Sequence, residues 1–267
     1  MTKVIRLPRA NENSNNTGTL WPTSVLEDME GVMLASYRTG MIGLLTAPSG
    51  TGKTTAARMV AAKLNTAPDE DECSYGQEVI YIMMTRATDK TRPGLAHIAD
   101  ALGIYTSRGD CPQDIMRSIE FKLEGQTSLL ILDEAQFMSA DLLSAIRNIW
   151  DRLETRGCNP GIVLVGTESL HERICGRRRS EDMDALSGRL GQKMVNLAIS
   201  EEDVRAVCKH LNIMGEKEFA LLYRVGRERG GLHNIKRVVE MAEQIADGKH
   251  ITLSTLKTSI AVTGGLV

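Results

Sequence analysis

The chain has 267 residues, of which 42% are apolar and 25% charged, enough for a core in one α/β unit with a smaller appended domain. Aromatic residues make up only 4%, which argues against an aromatic base-stacking platform, and a formal net charge of −2 leaves any hold on a polyanion to local basic patches. Cys73, Cys111, Cys158, Cys175 and Cys208 show no metal-binding spacing, and no apolar run approaches the ~18 residues of a membrane span, so the expectation is a cytoplasmic protein with reduced thiols and no membrane partner.

In chain order, residues 1–19 are polar and Asn-rich with Lys3, Arg6 and Arg9; they read as a flexible arm, or as a segment touching DNA or a neighbouring subunit. A Ser24-x-x-Glu27 capping pattern precedes Val25, Met29, Val32 and Met33 on one helix face. Residues 41–55, MIGLLTAPSGTGKTT, then read as strand, loop and helix start. The helix runs to about Asn65, and 66–78 is an acidic surface connection. Residues 78–85 (EVIYIMMT), 128–133 (SLLILD) and 161–167 (GIVLVGT) are further buried strands, separated by helical patterns that include 141–155. This alternation predicts an α/β fold with a parallel sheet, helices on both faces and ligands at the strand C-terminal ends. From Ser200 the strand signals stop. Ser200-x-x-Asp203 caps one helix, and others follow near 216–228, 232–247 and 252–262, with VTGGLV expected to fray. The predicted division is an arm (1–19), an ATPase domain (20–198) and a small all-helical domain (199–267), linked near 197–200.

The stretch that carries chemistry is APSGTGKTT. A phosphate-cradling loop needs small residues so that its backbone N–H groups can wrap phosphate oxygens, and the nucleotide-binding positions read from it are Pro48, Ser49, Gly50, Thr51, Gly52 and Thr55. Lys53 reaches the β/γ-phosphates, the Thr54 hydroxyl holds Mg²⁺, and the helix N-terminus faces the anion. The first glycine of G-x-x-x-x-G-K-[ST] is Ala47 here, a mild departure. About 80 residues on, LLILDE supplies the second signature of a nucleoside-triphosphatase, with Asp133 in the Mg²⁺ shell and Glu134 orienting the attacking water. DEAQ is also similar to helicase boxes, but the further motifs of such a motor are absent from the sequence. Thr167, ending the fourth strand, reads as a γ-phosphate sensor or as a plain helix cap. Arg189, in ALSGRL, reads as an arginine acting on a neighbouring subunit's phosphate or as a solvated surface residue.

Together APSGTGKTT, LLILDEAQ, IVLVGTESL and ALSGRL resemble an AAA+ ATPase, and among these the DNA-transposition ATPases, which include the phage Mu B protein and TnsC/TniB-type regulators. EDVRAVCKHLNIMGEKEFALL and GGLHNIKRVVEMA resemble the small domain of that branch, so the likeness covers roughly 24–262. The resemblance implies a P-loop AAA+ sheet with a small C-terminal helical domain, ATP and Mg²⁺ as cofactors, and ATP-dependent, sequence-nonspecific binding to double-stranded DNA. It also implies self-association into a helical filament or ring and recruitment of a cognate transposase. Two departures stand out. About 20 polar residues precede the first helix where the Mu B protein has a helix-turn-helix module, so DNA binding is expected to rest on the ATPase domain. His233 stands where many relatives carry an arginine after the Gly pair, so its nucleotide contact depends on its charge, with Lys236 and Arg237 a turn further on. The DNA-facing loops correspond to Arg86, Lys90, Thr91 and Arg92 and to Thr106, Ser107 and Arg108; as short polar loops they suit phosphate contact without base readout, or are simply solvated. The Arg177, Arg178 and Arg179 cluster reads as a subunit interface or loop rather than a DNA contact. The alternative function is a ring-type loader or adaptor acting on a protein client, or a signalling nucleoside-triphosphatase without DNA.

Overall fold

Strand β1 (Ile42–Thr46) is buried along its whole length, because it lies inside the sheet of a computed structural model that describes residues 21, 23–66, 78–124, 128–195, 199–228, 230–248 and 250–263. The arm 1–19, most of the acidic connection 66–78, the link at 196–198 and the end of VTGGLV lie outside the described residues. The remaining strands are β2 (Glu78–Met83), β3 (Ser128–Asp133), β4 (Gly161–Gly166) and β5 (Leu190–Val195), in the order β2-β3-β4-β1-β5. Every pairing among them is parallel. The near-continuous apolar runs of β1, β3 and β4 follow from this, since a parallel sheet covered on both faces buries successive residues.

Helices α1 (Ser24–Thr39), α2 (Lys53–Thr66), α3 (Thr91–Ala101), α4 (Pro112–Leu123), α5 (Ala140–Thr155), α6 (Glu168–Cys175) and α7 (Glu181–Ser187) connect or flank the strands. On one face, Ile42, Leu44, Ile80, Ile82, Leu130, Leu132, Ile162 and Leu164 alternate along their strands and pack with Leu95, Ile98, Ile119, Leu142, Ile146 and Trp150. Leu45, Leu129, Ile131, Val163 and Val165 on the alternate positions are equally closed to solvent. After β1 the chain crosses to β2 at one edge, and after β4 it crosses to β5 at the other. The mouth between β1 and β4 is therefore the switch point of the sheet, where an open α/β fold presents its ligand site.

Two expectations need correction. The sequence does not announce β5: LGQKMV is largely exposed and has neither an apolar run nor an alternation, because an edge strand paired with β1 alone needs no second buried face. Nor is Ser24 the cap of α1. The helix starts at Ser24, and Thr23 supplies the bonds that close its first turn, Leu26 N–H to Thr23 Oγ1 at 3.4 Å and Glu27 N–H to Thr23 O at 3.2 Å.

Contacts group the described chain into two units, one of Met29–Thr46 and Thr54–Val195, the other of 21–28, Ala47–Lys53 and the C-terminal residues from 199. The second contains α8 (Glu201–His210), α9 (Glu216–Arg227), α10 (Gly231–Ala246) and α11 (Leu253–Val262), around Val204, Val207, Leu222, Val225, Ile235, Val238, Val239 and Leu256. Ser200 and Asp203 cap α8 reciprocally, as their spacing predicts. Asp203 takes four donors: Ser24 N–H (2.7 Å) and Oγ–H (2.9 Å) on Oδ1, and Ser200 N–H (2.9 Å) and Oγ–H (2.8 Å) on Oδ2. One buried carboxylate thus pins the first residue of α1 to the start of α8.

Candidate nucleotide site

The loop Ala47–Lys53 leaves β1 and turns through Gly50 and Gly52, both at positive φ (84° and 98°), where a side chain would be strained. Thr51 Oγ1 donates to Pro48 O at 2.9 Å and closes the loop on itself. Lys53 Nζ donates to Ala47 O (2.9 Å) and Pro48 O (2.7 Å) and is almost wholly buried. Ala47 is itself buried and contributes only its carbonyl, so a methyl in place of the first glycine hydrogen is accommodated. Pro48, Ser49 and Thr55 are exposed. The loop rests on the Gly230 and Gly231 turn, where His233 N–H reaches Gly50 O at 3.3 Å; the exposed His233 side chain takes no part in that bond.

At the end of β3, Asp133 is fully buried. Its Oδ2 accepts from Thr54 Oγ1 at 2.7 Å and from Tyr81 OH at 2.8 Å, and its Oδ1 accepts from Glu134 N–H at 2.9 Å. The two residues assigned to Mg²⁺ are thus in direct contact. They offer a carboxylate and a hydroxyl, hard oxygens that suit Mg²⁺, which usually takes one or two protein oxygens and completes its octahedron with phosphate and water. Among the described residues no cluster of three or more His, Cys, Asp or Glu forms a rival metal site. Thr54 and Asp133 therefore fit the ion, and within the loop the Lys53 ammonium has the charge that suits phosphates.

Glu134 sits in the left-handed region, φ 56° and ψ 33°, rare for a non-glycine and characteristic of functional turns. Its carboxylate accepts from Gln136 Nε2. Thr167 occupies the N-cap position of α6 without a side-chain cap bond; its hydroxyl pairs with Ser169 Oγ at 2.9 Å. Arg189 lies between α7 and β5, and its Nε donates to Asp151 Oδ1 at 3.0 Å.

The segments expected to face DNA are joined to each other. Arg92 donates from Nε to Asp110 O (3.0 Å) and from Nη2 to Ser107 O (2.7 Å), so its guanidinium braces the 105–110 turn. Ser107 N–H and Oγ–H close on the Asp110 carboxylate, which they hold below the usual carboxylate range. Lys90 and Arg108 are exposed, Thr106 is partly so, and Arg86 lies 5.7 Å above the Phe137 ring.

Sequence reasoning missed three residues. Tyr81 is an OH-bearing residue within an apolar run, the one local signal that β2 reaches toward a polar site. Burial first, and then the Asp133 charge, push its hydroxyl well above the usual phenol range, so it stays protonated and donating. Gln136 is the last letter of DEAQ. Arg173 of α6 donates to the carbonyls of Met138 (2.7 Å), Gln136 (3.2 Å) and Ala135 (3.3 Å), and nothing in HERIC foretells it.

Several comparisons place this geometry among known proteins. Residues 36–174 match the AAA domain family, and 188–262 match the family of the Mu B transposition protein, C terminal. The ATP-dependent target DNA activator B of Escherichia phage D108 and that of Escherichia phage Mu are each 26% identical over 214 residues, 79% of this chain and 62% of theirs. The chain thus spans less than two thirds of the length of these relatives. Cdc6p from Pyrobaculum aerophilum superposes with a TM-score of 0.69 at 15% identity, over 93% of this chain and 69% of that one, a likeness of fold. With the AAA match extending over more than half of the sequence, the chain belongs to the AAA domain family.

Proposed function

We propose that this chain is an ATP-hydrolysing, DNA-binding regulator of transposition, which assembles on duplex DNA with ATP, marks target sites and recruits a transposase. The observation that carries this reading is the pairing, in one chain, of the Thr54 and Asp133 contact beside a phosphate loop with a C-terminal segment matching the Mu B family. The names of the two phage relatives, ATP-dependent activators of target DNA, support both halves. Residues 20–198 act as the ATPase domain and 199–267 as the small helical domain.

In this reading the loop N–H groups of 49–52 and Lys53 bind the phosphates, and Lys53 exchanges two loop carbonyls for phosphate oxygens. Bound Mg²⁺, held by Thr54 and Asp133, neutralises charge on the phosphates and fixes their orientation. Glu134 takes a proton from the attacking water and Thr167 senses the γ-phosphate. Arg189 leaves Asp151 to meet a neighbouring subunit's nucleotide, so ATP joins subunits. Lys90, Thr106 and Arg108 contact the DNA backbone, with Arg92 contributing chiefly by bracing them.

Glu134→Gln should retain ATP and DNA but fail to release DNA on the wild-type schedule; release at the wild-type rate would rule out a hydrolytic timer. Electron microscopy with duplex DNA at two salt concentrations tests the assembly. Filaments on DNA with ATP, absent with ADP and weakened by salt, are expected. Closed rings indifferent to DNA would overturn the reading in favour of a loader acting on protein.

A further inference from the structure

The turn after β3 holds a side-chain bridge that the roles assigned so far leave unused. Gln136 Nε2 donates to Glu134 Oε2, while Gln136 Oε1 accepts the Thr167 N–H at 3.3 Å. The two partners fix the amide's orientation, because only its NH₂ serves a carboxylate and only its oxygen serves an N–H. One side chain therefore spans the ends of β3 and β4.

The surroundings are shaped to hold it there. A Cβ at Gly166 would come within 2.8 Å of Gln136 Oε1, so the last residue of β4 leaves room for the amide. Arg173 grips the carbonyls of Ala135, Gln136 and Met138, fixing the backbone from which the side chain projects. The residue so held, Glu134, sits in an uncommon backbone conformation and on a side chain with free torsions. A group that aligns water needs its carboxylate fixed closely, because small displacements of a reacting group are costly in rate.

We propose that Gln136 is a positioning residue for hydrolysis: it holds the Glu134 carboxylate and ties its place to Thr167, the residue at the end of the neighbouring strand. The proposal rests on the reading of Glu134 as the water-orienting group. Gln136 touches neither phosphates nor metal ligands in this role, so its loss should spare nucleotide binding and slow the chemical step. Contact with the γ-phosphate at Thr167 would then reach Glu134 through a single amide.

The test uses the full chain with ATP and duplex DNA. Gln136→Glu keeps the shape and the acceptor for Thr167 N–H but sets a carboxylate against Glu134; Gln136→Met removes both bonds at similar length. For each variant, kcat, KM for ATP and the melting temperature are measured. The expected result for both is a fall in kcat of about 10- to 100-fold, with KM within about twofold and the melting temperature of the wild type. Wild-type kcat in Gln136→Glu, or a parallel loss of kcat, ATP affinity and thermal stability in both variants, would overturn the proposal. Glu134→Gln run alongside separates the two ideas. If it hydrolyses ATP at the wild-type rate, the reading of Glu134 fails and takes this proposal with it; if it is inactive while Gln136→Glu is active, the proposal alone fails.

Discussion

Thr54 and Asp133 stand 79 positions apart in the chain and meet through a 2.7 Å hydrogen bond from Thr54 Oγ1 to Asp133 Oδ2. The same oxygen receives the Tyr81 hydroxyl at 2.8 Å, so β2, at the edge of the sheet, helps to set the carboxylate that would face the ion. Tyr81→Phe deletes this donor and the hydroxyl's interaction with Arg58, and keeps the ring that Arg58 covers. The expected outcome is a rise of about tenfold in the Mg²⁺ concentration that half-saturates ATP hydrolysis, with the fold intact. An unchanged Mg²⁺ titration would show that Tyr81 does not orient Asp133.

Gly50 and Gly52 share a positive φ but differ in surroundings. A Cβ on Gly50 would lie 1.9 Å from Gly230 O, whereas one on Gly52 would meet nothing within 4 Å. Both Ala substitutions carry a backbone cost of about 1–3 kcal/mol, and only Gly50→Ala adds a clash with main chain. Thermal melts should therefore rank the proteins wild type, Gly52→Ala, Gly50→Ala in falling stability. Fluorescent-ATP binding should be lost first in Gly50→Ala.

Burial by itself pushes the Asp203 carboxyl up, but the bonds from Ser200 and Ser24 outweigh it and hold the group below the usual carboxylate range. A folded-state value below the unfolded one of about 3.9 means that the stabilisation is present above that pH and is lost as pH falls through the folded value. Asp203→Asn should cost about 1–3 kcal/mol at pH 7. The gap between variant and wild type should narrow below about pH 4 in denaturant melts. A gap that stayed constant with pH would remove the charge from the account.

Cys208 is buried on α8, and burial pushes its thiol up to about 11, whereas Cys111 is exposed. Its thiolate is therefore scarce at pH 8. A thiol reagent should label Cys111 within the mixing period and buried Cys208 only when denaturant opens the helical unit. Prompt labelling of Cys208 in the native protein would show that α8 opens readily.

Much of the fold was legible because its signals are local. Buried runs such as LLILD and GIVLVG, the spacing of Ser200 to Asp203, and the strand, loop and helix of residues 41–55 each declare themselves within a few residues. What stayed hidden is made by distant contacts. Ser24 looked like a cap, yet its hydroxyl serves Asp203 179 positions away, and the neighbouring Thr23 does the capping. Arg92 looked like a free cation, yet it is spent on the carbonyls of Asp110 and Ser107. The roles of Tyr81 and Arg173 likewise arise only when strands and helices are brought together. Within the candidate site, the Thr54 and Asp133 pair could be named from motif spacing, because the chemistry of phosphate and metal dictates residue types at fixed offsets. The side chains that orient that pair obey no such offset.

The placement of β5 bears on how this protein is taken apart. The AAA match ends at 174 and the Mu B match begins at 188, which invites a cut between them. Such a cut would give Leu190–Val195 to the C-terminal fragment, although that strand completes the sheet beside β1. The N-terminal fragment would then bare the backbone edge of a strand lined by Ile42, Leu44 and Leu45, in exchange for an edge that carries Gln192 and Lys193 in its exposed middle. A charged residue on an outer strand discourages other chains from pairing there, and an apolar one invites them. A family boundary drawn from sequence thus runs through a folding unit, and a soluble N-terminal fragment has to extend through Val195.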